Sequence, residues 1–238
     1  MAVRLQKLIA EAGLMSRRAA EQAILAGRVS CNGKTASLGD TASDGDEILV
    51  DGVPLPAREE KHYYMLNKPR GYVCTMHDEQ GRRSVRELLP PSAGRVYPVG
   101  RLDLMSEGLL LMTNDGEFAL RIMHPSGRIV KTYRTSVRGE EIEKGIARLK
   151  KTFELDGVLI QAVRVQTLKS TETTAVLDIT IGEGRNRQIR RMCEIAGLRV
   201  SRLIRVAEGP LRLDGLPSGQ FRELSAAEVT RIMEEAGK

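Results

Sequence analysis

The chain has 238 residues, 41% hydrophobic and 29% charged, with 37 Lys and Arg against 31 Asp and Glu and a net charge of +6. It can bury a sizeable core, has no run of about 18 apolar residues to cross a bilayer, and favours a polyanionic partner. Cys31, Cys74 and Cys193, like His62, His77 and His124, are scattered without ligand spacing, so neither a disulfide framework nor a metal site is expected.

The opening Met-Ala-Val-Arg-Leu-Gln-Lys lacks the apolar core of a signal peptide, and the expected location is the cytoplasm. Across residues 3–13, Val3, Leu5, Leu8, Ile9 and Ala12 share one helical face, with Gly13 as the stop. Ser16 caps a second helix, 17–26, ended by Gly27. A strand then runs from Arg28 into an Asn32-Gly33 hairpin turn, and short strands continue to Asp51-Gly52. Residues 1–34 hold six basic side chains (Arg4, Lys7, Arg17, Arg18, Arg28, Lys34) against Glu11 and Glu21, whereas residues 35–57 hold five acidic ones and no basic one. One basic and one acidic surface is the footprint of a phosphate-facing module; solvated helix faces would mix the signs. Residues 53–61 carry two prolines and four charges and read as a linker. The expected division is 1–57, a linker at 58–61, and 62–238.

Beyond the linker, Tyr63–Asn67 and Tyr72–Thr75 read as strands around the turn Lys68-Pro69-Arg70-Gly71. Residues 76–83 form a charged loop, and Ser84 caps a short helix through Leu89. Leu109–Met112 is a buried strand between Gly108 and the turn signal Asn114-Asp115-Gly116. A helix over 118–123, a loop from His124-Pro125, a strand over 131–137 and a helix over 140–150 follow. Strands at 158–169 and 174–181, a helix over 187–196, a strand over 200–206 and a helix from Ser225 to Glu235 complete the chain. Many strands with few helices give an α+β fold on a mixed, mostly antiparallel sheet flanked by helices.

Three segments can do chemistry. Asp103 lies in the loop before Leu109–Met112; on spacing alone it reads as a turn residue. Tyr133 lies in a strand, where core packing is the ordinary role. Arg185, Arg187, Arg190 and Arg191 crowd four like charges into seven residues at a Gly-rich turn and helix start. Such crowding asks for facing anions, phosphates above all, although one arginine could pair with a buried carboxylate. A carboxylate beside an arginine stays ionised, and a tyrosine can stack on a flat substrate and hold a proton. With no Gly-rich nucleotide loop and no cofactor motif, these residues fit a redox-neutral rearrangement or group transfer.

The first segment resembles the small alpha-L RNA-binding domain typified by a small-subunit ribosomal protein, through Arg4–Leu8, Ser16-Arg17-Arg18, Ala26–Ser30, Asn32-Gly33-Lys34 and Gly45–Ile48. That resemblance implies that Arg4, Lys7, Arg17, Arg18, Arg28 and Lys34 contact folded RNA. The remainder resembles the RsuA/RluB family of ribosomal RNA pseudouridine synthases. Gly100-Arg101-Leu102-Asp103 with Gly108–Leu111 and Thr113–Gly116 is similar to its catalytic motif. Lys68–Gly71, Lys131-Thr132-Tyr133, Gly184–Met192, and Leu203 before Gly209-Pro210-Leu211 are similar to its other motifs.

The resemblance implies a flipped-out uridine, isomerised to pseudouridine with no metal or cofactor. Asp103 would act as the nucleophile or the key base, at the sugar or the ring. Tyr133 would stack on the base and assist proton removal, Arg190 would pair with Asp103, and Leu203 would support the other side of the ring. Arg101, Arg185 and Arg187 would meet phosphates; Lys68 reads as structural or phosphate-facing. The implied substrate is large-subunit ribosomal RNA or an assembly intermediate, acted on by a monomer away from membranes. The alternative is a non-catalytic RNA-binding or ribosome-assembly protein, which would gain nothing from a carboxylate facing phosphates.

Overall fold

The computed structural model describes residues 2–57, 59–76, 78–124, 127 and 129–237. Arg58 of the linker, His77 of the charged loop and Pro125 of the later loop lie outside the described residues. The chain divides into two compact units, 1–61 and 62–238.

In the first unit, β1 (Val3–Arg4) leads into α1 (Leu5–Glu11) and α2 (Arg17–Leu25). Five short strands follow: β2 (Val29–Cys31), β3 (Lys34–Thr35), β4 (Thr41–Ala42), β5 (Ile48–Val50) and β6 (Val53–Pro54). Ser16 caps α2 as expected, accepting from the Ala19 N–H at 3.1 Å. Leu5, Ile9, Ala20, Ile24, Val29 and Val50 meet in one core. The first helix starts two residues later than its periodicity suggests, because Val3 and Arg4 pair with Ala42 and Thr41. The linker is also shorter: Val53 and Pro54 extend the sheet β3-β2-β5-β6, turned back onto Val50 and Leu49 through Asp51 at φ 52.

The second unit is built on a sheet ordered β13-β14-β10-β15-β9-β7-β17. These strands are β7 (Tyr63–Lys68), β9 (Glu107–Thr113), β10 (Lys131–Arg138), β13 (Arg164–Ser170), β14 (Thr174–Ile181), β15 (Arg199–Glu208) and β17 (Phe221–Glu223). The short strands β8 (Tyr97–Val99) and β16 (Leu211–Arg212) add to β9 and β15, and β11 (Phe153–Leu155) and β12 (Val158–Ile160) form a separate hairpin. Among the described residues one pairing in this sheet is parallel, β9 with β15. The sheet is therefore mixed and mostly antiparallel.

Helices cover both faces. Helices α4 (Ile142–Leu149) and α5 (Gln188–Ile195) supply Ile142, Ile146, Ile189 and Met192 to a core with Leu66, Leu110, Met112 and Leu177. Helices α3 (Gly116–Met123) and α6 (Ala226–Ala236) supply Phe118, Ile122 and Ile232 to the core on the other face, with Met65, Leu109 and Leu111. Burial on both sides explains the unbroken apolar run Leu109–Met112, every residue of which is fully buried. Asp115 in the turn signal caps α3, accepting from the N–H groups of Glu117 and Phe118.

Tyr72–Thr75 is not a strand. Only Val73 pairs, in an isolated bridge to Ser84. Cys74 is drawn instead to the Leu102 backbone, with its sulfur 3.2 Å from the Leu102 nitrogen. A segment that must reach this loop cannot also run along a sheet edge.

Candidate active site

The loop between β8 and β9 presents Asp103, and its backbone is fixed from behind. Lys68 at the end of β7 is fully buried, and its three ammonium protons find three carbonyls: Pro69 at 3.0 Å, Asp103 at 3.3 Å and Ser106 at 2.8 Å. Burial pushes the Lys68 ammonium below its ordinary pKa. The Gly71 N–H donates to the Leu104 carbonyl at 2.9 Å, and the Ser106 N–H to the Asp103 carbonyl at 2.9 Å. Lys68 is thus a scaffold for the Asp103 loop.

In front of the loop is a cleft of about 360 Å³, the size of a small-ligand pocket. The loop contributes Arg101 and Asp103, β10 contributes Lys131 and Tyr133, and β15 contributes Leu203, Arg205 and Glu208. Arg185 and Arg187 enter from the turn before α5. Arg187 sits in the left-handed backbone region at φ 49, a conformation that a side chain of this kind seldom adopts. Asp103, Tyr133, Leu203, Arg101, Arg185 and Arg187, which are far apart in sequence, therefore share one cleft. A carboxylate lies among apolar and aromatic surface, rimmed by arginines suited to phosphate.

Arg190 stands elsewhere. Its guanidinium donates to the Met105 carbonyl at 3.1 Å, behind the tip of the same loop. Among the described residues no ion pair within 4.0 Å joins it to Asp103, contrary to the pairing expected. Burial and the neighbouring Arg187 lower its pKa, while Asp103 opposes them at longer range. Arg190 thus holds the loop through its backbone.

Sequence reasoning missed the floor of the cleft. Arg205 is 2% exposed, with its Nε donating to the Leu109 carbonyl at 2.6 Å. It lies 3.5 Å from the Glu208 carboxylate. Lys131 is 3.9 Å from the same carboxylate. Burial raises the pKa of Tyr133, and the Arg205 cation pulls it the other way. A signal was present: Leu203, Arg205 and Ala207 alternate along β15, so Arg205 falls on a face that is otherwise apolar.

In the first unit, Arg4 donates to the Gly39 carbonyl, Lys7 pairs with Glu11 at 3.5 Å, and Arg28 grips Asp51 with two hydrogen bonds. Arg17, Arg18 and Lys34 are exposed and without a side-chain partner among the described residues. They are the cations of this unit most available to an external anion.

Comparison with known proteins agrees with this arrangement. Residues 62–195 match the model of the RNA pseudouridylate synthase family, and residues 3–48 that of the S4 domain. A Bacillus subtilis protein named ribosomal large subunit pseudouridine synthase B is 42% identical over 96% of this chain and 95% of its own length. A Vibrio cholerae protein of the same name is 41% identical over 98% of this chain and 75% of its own. An Aquifex aeolicus protein named as an uncharacterized RNA pseudouridine synthase is 38% identical over 100% of this chain. A crystal structure described as a pseudouridylate synthase superposes with a TM-score of 0.69 at 31% identity, covering 97% of this chain and 99% of its own. With an S4 domain ahead of this cleft, the chain belongs to the RNA pseudouridylate synthase family.

Proposed function

We propose that the protein isomerises one uridine of 23S ribosomal RNA to pseudouridine, as a cytoplasmic monomer, with Asp103 as the nucleophile. Residues 1–57 hold the RNA, and residues 62–238 carry out the chemistry. The observation that carries this reading is the meeting of Asp103, Tyr133 and Leu203 in one arginine-rimmed cleft. The relatives named for the large ribosomal subunit, similar along the whole chain, support the choice of RNA.

A uridine within a stack cannot offer its C1′ or C6 to a side chain, so it must be flipped into the cleft. Tyr133 and Leu203 then face the two sides of its ring. Asp103 attacks at the sugar or the ring, and the N1–C1′ bond breaks. The uracil turns while held between these two walls, a C5–C1′ bond forms, and the bond to Asp103 breaks and returns its free carboxylate. C5 loses its proton to Tyr133 or water, and N1 gains one, so the product is an isomer of the substrate. Arg101, Arg185 and Arg187 bind the flanking phosphates, charge-assisted contacts that do not read sequence.

Asp103→Asn keeps the shape and removes the nucleophile. Pseudouridine formation in 23S rRNA should disappear while RNA affinity stays within a few-fold of the parent protein. A variant that still isomerises uridine would refute the assignment.

A further inference from the structure

The tip of the Asp103 loop exposes two adjacent apolar side chains, Leu104 at 39% and Met105 at 51%. Neither lines the cleft, although Gly100–Asp103 and Ser106 on either side of them do. Exposed hydrophobes mean little on a loose loop. Here the backbone beneath both is fixed: the Leu104 carbonyl accepts from Gly71, the Met105 carbonyl accepts from Arg190, and Lys68 grips the residues before and after. The two side chains are therefore held out to solvent from a rigid base.

Their surroundings point to a polyanion. A second, open groove runs along α5 and the start of β15, lined by Arg138, Arg148, Arg190 and Arg199 and by Glu140, Glu141 and Glu194, so that with Arg187 its cations outnumber its carboxylates five to three. Arg187 lines both this groove and the cleft, and Arg190 reaches from the groove to the loop tip. A nucleic acid that follows these arginines from cleft to groove crosses Leu104 and Met105. Apolar side chains contribute nothing to phosphate contact, and two residues are too small a patch to dock a protein. They suit the faces of bases.

We propose that Leu104 and Met105 form an apolar wedge that enters the RNA stack beside the target uridine and fills the gap its flipping leaves. This rests on the uridine-isomerising function proposed above. Flipping costs stacking on both sides of the vacated position, and an inserted Leu or Met restores contact there and excludes water.

The test is single-turnover pseudouridine formation by the full-length double variant Leu104→Ala/Met105→Ala. One substrate is a 23S rRNA fragment with the target uridine opposite adenosine; the other replaces that adenosine with an abasic site. The wedge predicts a loss of about tenfold on the paired substrate, recovered to within about twofold of the parent on the abasic one. Restoring bulk with Leu104→Met/Met105→Leu should restore the paired rate. No loss on the paired substrate, or an equal loss on both, overturns the proposal. Failure of the parent protein to modify either RNA would instead overturn the functional reading beneath it.

Discussion

Arg205 lies directly opposite Tyr133 across β10 and β15, and its buried guanidinium charge opposes the rise that burial gives the tyrosine's pKa. The pairing shifts register between Thr132 and Tyr133, a bulge that locally re-aims side chains. The same guanidinium binds the Leu109 carbonyl of β9, so the residue opposite Tyr133 is tied to the strand that follows the Asp103 loop. Arg205→Met should leave the Glu208 carboxylate buried without its main cation and cost about 3–5 kcal/mol, read as a lower urea midpoint. Adding Glu208→Met should recover much of that loss. Arg205→Lys keeps the charge without the planar fork. It should fold, yet lower the single-turnover rate by about tenfold or more.

Gly108 shows how closely these strands approach. Its φ is +105, and a Cβ there would lie 2.3 Å from the Arg205 carbonyl oxygen. Neither the backbone angle nor the space admits a side chain. Gly108→Ala should therefore destabilise by about 2–4 kcal/mol in urea unfolding. Because the displaced backbone is that of Arg205, activity should fall even at temperatures where the variant is fully folded.

The sequence carried the cleft's polar rim more clearly than its floor. Asp103, Tyr133 and the arginines around 185–190 stand in turns or in segments where charge or a ring breaks the local pattern. Leu109–Met112 was legible as a strand because burial on both faces leaves an unbroken apolar run. Arg205 was hidden because its role depends on three strands meeting, β9, β10 and β15, and no local spacing reports that. Tyr72–Thr75 has the composition of a strand, but the pull of Leu102 on Cys74 outweighs propensity there. Val53-Pro54 has the composition of a linker, yet the turn at Asp51 returns it to the sheet. In both segments tertiary pairing decided what composition could not.

The unpartnered cations of the first unit give a salt-dependence test. Arg17, Arg18 and Lys34 are exposed, while Arg28 and Lys7 already hold carboxylates. Replacing Arg17, Arg18 and Lys34 with alanine should weaken 23S rRNA binding and flatten log K against log salt by about 2–3. Arg28→Ala should change that slope by well under the roughly 0.7–0.9 expected of one free phosphate-facing cation, since its charge is engaged by Asp51. A change of that full size would mean that the Asp51 pair opens when RNA binds.

Acid should weaken the second unit partly through one carboxylate at the start of α6. Arg222 grips Glu228 with hydrogen bonds of 2.7 and 2.9 Å, and the Ser225 N–H adds another, holding the Glu228 carboxyl down to about 2. A carboxyl depressed in the folded state stabilises it above its unfolded pKa of about 4.3 and loses that contribution as pH falls. The window is therefore about pH 5 down to pH 2. Arg222 is 39% exposed, so solvent screening limits the contribution to about 1–2 kcal/mol. Glu228→Gln should be less stable than the parent by that amount at pH 7. The gap should have narrowed to a small remainder by pH 2, where Glu228 is protonated in the unfolded chain and about half protonated in the folded one. Urea unfolding of the pair at a series of pH values isolates Glu228 from the other carboxylates, which titrate equally in both. A gap that persists unchanged at pH 2 would assign the loss to the capping geometry of Ser225 and Glu228 instead of to charge.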